Sequence, residues 1–407
     1  MFLINGYALA EKDEPADVYI VNSCTVTAEG DRKSLQWLRR AKRSNPNAVT
    51  VLTGCLPQAF PEKAKQNFGA DIVTGSKNRH SLIQNIDTFL HYGNPILNIE
   101  PYEQNDKFED MPAPQIQEHT RAFVKVEDGC NRFCTYCIIP YARGPVRSRS
   151  EESILNEITL LSKKGYAEVV LTGINLACYG NDTQTDLPTL VEKIAQNPNI
   201  KRVRLGSLEP DFLSEDQFIA LSKQEKLCPH FHFSLQSGCD KTLTRMNRPY
   251  STAFYKSQLS FLRSIFPTAT FTTDIIVGFP GETDEDFEES LNFITSCAFF
   301  KIHVFTYSQR PGTPAADFPD QVPLQIKQMR RRTLTEASKQ IQINTAQQFV
   351  GSTVEVLLEK PIEKDTYTGY SENYLPVTLY APEQKQGDIV QAVLKEFNGE
   401  RFIASLF

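Results

Sequence analysis

Short apolar runs alternate with longer amphipathic stretches through the first quarter of the chain. Residues 17–23, 48–53 and 71–74 predict strands, and residues 28–45, 61–68 and 80–90 predict helices. Strand following helix in this order implies a doubly wound α/β layer with a parallel sheet over residues 1–91. Residues 92–120 are polar, carry proline and show no period, which reads as a linker. Six further strand-like runs follow at 122–127, 168–172, 202–206, 231–235, 271–277 and 303–307, with helical patterns between them. Six strand–helix repeats predict a partial α/β barrel, short of a complete eight, whose chemistry sits in loops after the strands.

A charged, unbroken pattern over 323–349 predicts one long trailing helix, so the central domain runs 121–345. Residues 346–407 contain β-rich runs at 353–358, 375–379, 388–394 and 401–406. These predict a small terminal β-barrel.

Composition changes this picture little. The chain has 407 residues, 40% hydrophobic and 23% charged, enough for several domains of an ordinary globular protein. No apolar stretch is long enough for a membrane span. Nine cysteines, an odd number, fit metal-binding thiols in a reducing cytoplasm better than a secreted disulfide framework. A net charge of −6 argues mildly against a nucleic-acid partner. Between positions 121 and 149, however, six basic residues face two acids, and Arg143, Arg147 and Arg149 are candidates to grip phosphate.

Chemistry concentrates in Asp-Gly-Cys-Asn-Arg-Phe-Cys-Thr-Tyr-Cys, where Cys130, Cys134 and Cys137 are spaced C-x3-C-x2-C. Three thiolates hold three corners of a four-iron cluster and leave one iron open. Electron-transfer clusters take four cysteines, so the open corner points to catalysis, as an open position does in zinc enzymes. The bland alternatives are three reduced loop thiols or an incomplete zinc site. Cys24 and Cys55 each end a predicted strand of the first domain, and a parallel sheet would bring both to one edge. Cys228, His230 and His232 alternate along one strand, an arrangement that converges poorly on a tetrahedral ion; histidines lining the barrel interior is the simpler reading.

The thiol run, with Tyr136 in the aromatic place and continuing Ile-Ile-Pro-Tyr-Ala-Arg-Gly, resembles the radical S-adenosylmethionine superfamily, and within it the methylthiotransferases. The likeness extends over residues 6–407. It implies that Cys130, Cys134 and Cys137 hold a 4Fe-4S cluster whose open iron chelates S-adenosylmethionine, which is then cleaved to a 5′-deoxyadenosyl radical. Tyr136, Gly173, Asn175, Ser207, Glu209 and Gln236 would contact that cofactor. It further implies a second, auxiliary 4Fe-4S cluster on three N-terminal cysteines. Cys24 and Cys55 match two of them; the third is absent from this chain. A sheet lacking its first, central strand is therefore expected, as from a late start, with unpaired backbone groups on both neighbours.

The terminal barrel resembles the TRAM module, although its five basic residues against nine acids do not favour RNA. Gly369-Tyr370-Ser371-Glu372-Asn373-Tyr374 resembles the branch acting on N6-threonylcarbamoyladenosine at position 37 of tRNA. That resemblance implies a cytoplasmic monomer that binds the tRNA anticodon loop and takes electrons from a flavodoxin-like donor. The alternatives are methylthiolation of a ribosomal-protein aspartate, and a non-catalytic iron–sulfur protein that binds RNA or senses redox state.

Overall fold

The computed structural model describes residues 1–11, 14–111 and 120–407, apart from the side chain of Asn67. Part of the expected linker, residues 112–119, lies outside the described residues. The chain divides into two compact units.

The first unit is built on the N-terminal sheet and also takes in Asp128–Arg147 and Ser308–Asp317. Its strands Val18–Ser23, Val49–Gly54, Ile72–Thr74 and Ile96–Asn98 pair in that order, all parallel. The helix Ala28–Ser44 starts on Thr27, whose hydroxyl accepts from Gly30 N. Acids in its first turn and bases in its last complement the helix dipole. Leu38, Leu52, Leu56 and Val73 pack on one face of the sheet; Val51, Ile72, Leu82 and Ile86 pack on the other. Both faces are therefore covered, as a parallel sheet requires.

Three expectations change here. Where a missing strand was expected to leave both neighbours unpaired, Val18–Ser23 pairs directly with Val49–Gly54, Val18 opposite Val49 through Ser23 opposite Gly54, and itself stands at the edge of the sheet. The expected linker supplies the edge strand Ile96–Asn98, and Lys77 and Arg79 pair with its downstream acids Asp106 and Glu109. The helix expected over 61–68 is only Pro61–Ala64, followed by a kink at Phe68 with φ +44°.

In the second unit, strands Ala122–Lys125, Glu168–Thr172 and Arg202–Leu205 form one parallel set. Ser207–Leu208, His230–Phe233, Thr270–Val277 and Lys301–Thr306 form another. The break falls at Gly206, which donates its N–H to Leu171 O and where a Cβ would stand 2.9 Å from that oxygen. Six strand positions arranged this way match the partial barrel read from the sequence. Phe231, Phe233, Phe271 and Ile275 face the helices in one large apolar core. The alternate positions are polar: His230, His232, Thr272, Asp274 and His303. The long helix Leu324–Ala346 inserts Leu334 and Ile341 into that core.

The C-terminal strands close into a five-stranded barrel. The sequence reading lacked one of them, Thr366–Ser371, because its threonines and tyrosines alternate without an apolar face. Gly369 belongs to that strand, and a Cβ there would lie 2.1 Å from Leu357 O. The barrel joins the strand arc through a buried seam. Arg204 donates to Glu168 at 2.8 Å and to the carbonyls of Glu372 and Ser371. Arg202 reaches Glu355 O, and Asn373 reaches Thr268 O. Tyr374 stacks on Tyr370 and lies under the Arg121 and Arg204 guanidinium groups. The Gly369–Tyr374 run, read earlier as a mark of substrate branch, thus does its visible work in domain packing.

Candidate active site

The three-thiol loop belongs to the first unit and is closed at both ends by its backbone. Cys130 N donates to Gly144 O at 3.0 Å, and Val146 N donates to Asn131 Oδ1. Gly129 opens the loop at φ +89°, where a Cβ would meet Pro145 O at 1.9 Å; glycine is obligatory. Within the loop Phe133 holds φ +50°, and Cys137 N donates to Cys134 O at 2.9 Å. Cys134 is buried while Cys130 and Cys137 are half-buried. Arg132 N donates to Cys130 Sγ at 3.4 Å. Soft thiolates with a backbone N–H on sulfur are the donor set that iron–sulfur clusters take. The loop fits such a cluster.

Cys24 and Cys55 directly follow the paired residues Ser23 and Gly54, so parallel register sets them side by side at the carboxyl ends of neighbouring strands. Ser23 Oγ ties the two turns, donating to Thr53 O and accepting from Leu56 N. Cys24 is exposed; Cys55 is buried. Burial pushes the Cys55 thiol up, while Arg143, whose Nε donates to Sγ at 3.1 Å, pulls it back. Replacing Arg143 with methionine is therefore expected to move ionisation of Cys55 to higher pH. Mass spectrometry of alkylated Cys55 across pH, in metal-free protein, reads the shift; an unchanged profile would remove Arg143 from this role.

Sequence reasoning missed Arg310. Its guanidinium is buried and bonds Thr25 Oγ1 at 2.7 Å and Asp31 Oδ2 at 2.6 Å, fastening the turn beyond Cys24. The available signal was a lone cation in Ser308-Gln309-Arg310-Pro311-Gly312, a turn just after the last strand of the arc.

The arginines nominated for phosphate are placed otherwise. Arg143 is engaged by Cys55 and Asp128. Arg147 is 3% exposed, donates to Pro145 O, pairs with Asp128 and lies over Tyr102. In the second unit Arg149 is 7% exposed and pairs with Glu157. Local sequence shows their charge but not the carboxylates that the fold brings to meet it. Beside the thiol loop, a cavity of about 680 Å³ is lined by Gln58, Tyr102, Asn131, Phe133 and Tyr141, among others. Phe133 and Tyr141 are exposed and meet edge to face at 5.9 Å.

The remaining nominated residues, except the half-buried Tyr136 of the thiol loop, lie at strand ends of the second unit. A Cβ on Gly173 would come within 2.6 Å of Glu127 Oε2, the same oxygen that accepts from Asn175 N at 2.8 Å. Asn175 is 4% exposed and its side-chain amide has no partner among the described residues. An amide left so is normally answered by a polar ligand or water, and this fits a polar cofactor at the strand ends. Ser207 Oγ lies 3.2 Å from Ser234 Oγ. Glu209 is taken by Arg248, which also holds Tyr250. Gln236 sits at φ +70° and bridges through its backbone to Asp274 O and Ile276 N. The Gly278–Thr283 turn is fixed by Glu282, which accepts from Gly278 N and Arg330.

Comparison with known proteins agrees with this architecture. Residues 124–294 match the radical SAM superfamily, and residues 1–75 match uncharacterized protein family UPF0004. The chain is 37% identical to the threonylcarbamoyladenosine tRNA methylthiotransferase MtaB of Bacillus subtilis, over 96% of this chain and 88% of that protein. It is 38% identical to the MtaB of Thermotoga maritima, over 91% and 84%. It is also 38% identical to the tRNA-2-methylthio-N(6)-dimethylallyladenosine synthase of Pelotomaculum thermopropionicum, over 90% and 83%. Among solved structures, the radical S-adenosylmethionine methyltransferase TsrM of Kitasatospora setae shares the fold, with TM-score 0.57 and 15% identity over 75% of this chain and 65% of that one. An arc of parallel strands and relatedness along nearly the whole chain converge: the protein belongs to the radical S-adenosylmethionine methylthiotransferase family, which works with a 4Fe-4S cluster and S-adenosylmethionine.

Proposed function

We propose that the chain installs a 2-methylthio group on N6-threonylcarbamoyladenosine at position 37 of tRNA. The observation that carries this reading is the loop of Cys130, Cys134 and Cys137, considered with the MtaB relatives that align along most of the chain. Cys130, Cys134 and Cys137 would hold a 4Fe-4S cluster, which when bound would supply the electron for cleaving S-adenosylmethionine, the source of both the radical and the methyl group. Arg132 N favours the anionic sulfur of Cys130. Asn175 offers its unpartnered amide to the polar end of the cofactor.

Cys24 and Cys55 would supply two thiols for an auxiliary cluster that carries the sulfur, and Arg143 partly offsets the burial that disfavours the Cys55 thiolate. With the three arginines committed inside the protein, the anticodon-loop base is received instead by the cavity of Tyr102, Phe133 and Tyr141. Exposed rings accept an unstacked base by stacking, the usual means of reading RNA loops. The protein acts in the cytoplasm as a monomer fed by a flavodoxin-like donor.

The similar identity of the Pelotomaculum relative favours one second reading, the dimethylallyl-modified adenosine. Mass spectrometry of tRNA nucleosides from a deletion strain separates them. Loss of 2-methylthio-N6-threonylcarbamoyladenosine is the expected result. Loss of the dimethylallyl form selects the second reading, and unchanged tRNA overturns both.

A further inference from the structure

We propose that His232, Asp274 and His303 form a divalent-metal site of the zinc class on the polar face of the strand arc. The three residues come from neighbouring parallel strands, His230–Phe233, Thr270–Val277 and Lys301–Thr306. Strand alternation sends Phe231, Phe233, Ile275 and Ile302 into the apolar core and these three to the opposite face. Asp274 pairs in register with His303, and His232 with Thr272, two residues before Asp274. One ligand atom from each of the three lies within 4.8 Å of the others.

The geometry is near what an ion needs. Bonds of about 2.0–2.1 Å in a tetrahedron place donor atoms about 3.3–3.4 Å apart. His232 Nε2 and Asp274 Oδ2 are already 3.3 Å apart, so a side-chain adjustment at His303 completes the set. His232 Nδ1 lies 3.0 Å from Thr272 Oγ1. That contact turns Nε2 toward Asp274, the outer-shell arrangement by which metal-binding histidines are oriented. Two imidazoles and one carboxylate are the donors of many catalytic zinc sites, which leave a position open. Here that position would take an oxygen ligand such as a carboxylate. The alternating trio considered from sequence is dispersed: Cys228 is buried beside Arg204, and His230 packs on Tyr374 at 4.7 Å. Only His232 of that trio takes part.

The test is zinc binding by the full chain carrying its iron–sulfur cluster, prepared anaerobically. The expected result is one zinc per chain after gel filtration, with a first shell of nitrogen and oxygen at about 2.0–2.2 Å in X-ray absorption. His303→Ala should weaken zinc binding at least tenfold, and Thr272→Val should do so to a smaller degree. The double variant Cys24→Ala, Cys55→Ala should keep the zinc, which excludes binding at those thiols. A sulfur shell near 2.3 Å, retention of zinc by His303→Ala, or no stoichiometric zinc in the unaltered chain overturns the proposal. If His303→Ala fails to fold, the shell of the unaltered chain and the Thr272→Val titration still decide.

Discussion

Replacing Cys134 with alanine is expected to abolish reductive cleavage of S-adenosylmethionine, by at least about a thousandfold, equivalent to roughly 4 kcal/mol in the barrier. Cys134 is the most buried of the three loop thiols, at 6% exposure, and its carbonyl anchors Cys137 N. The backbone frame does not depend on its sulfur, because Cys130–Gly144 and Val146–Asn131 close the loop independently. The variant should therefore fold while losing one corner of its cluster. Anaerobic assay of 5′-deoxyadenosine after chemical reduction reads the effect, with circular dichroism confirming the fold. Cleavage within tenfold of the unaltered protein would place the reactive iron elsewhere. Alanine at Cys24 should give the opposite pattern, retaining 5′-deoxyadenosine while losing the methylthio product.

The second large effect concerns stability. Arg204→Met should destabilise the second unit by about 3–5 kcal/mol, the usual cost of removing one partner from a buried ion pair. Arg204 and Glu168 are 2% and 1% exposed and bond at 2.8 Å. After the change, among the described residues, Glu168 keeps longer pairings to Arg202 at 3.5 Å and Arg121 at 3.7 Å. Two carbonyls of the terminal barrel also lose their donor. Denaturant titration checks the magnitude; a loss under about 1 kcal/mol would make the seam ordinary surface electrostatics. Adding Glu168→Gln should recover part of the loss, since the buried carboxylate that lost its nearest partner is then neutral.

The pH dependence follows from Glu168. Burial alone would raise its carboxyl, yet Arg204, Arg121 and Arg202 outweigh burial and hold it below its ordinary value. A carboxyl depressed in the folded state stabilises fully above its unfolded pKa of about 4.3, and that contribution disappears as pH falls through the folded value. The gap between the original chain and Arg204→Met should be widest near neutrality and narrow below about pH 4.

How much of this was legible beforehand depended on how locally each feature is encoded. Cys130, Cys134 and Cys137 stood out because all three fall within one short loop, which the structure closes by the bond from Cys130 N to Gly144 O. The arc strands were readable because each buries a β-branched or aromatic face. Strand Thr366–Ser371 was not, since polar Thr and Tyr satisfy its ladder without an apolar signature. Arg143, Arg147 and Arg149 looked like a basic patch because Asp128, Cys55 and Glu157 meet them only through the tertiary fold. His303 and Asp274 left no trace in spacing, because parallel strands joined by crossovers bring distant residues into adjacent register.

The seam of arginine, glutamate and tyrosine has a consequence for how a long polymer would be handled. A barrel hung on a loose tether would search many orientations, and anything it held could slide to any reach. Cemented to the arc, it moves with those strands as one piece. Whatever it clasps turns with the strands of the second unit, because Arg204 ties Glu168 of the arc to two carbonyls of the barrel.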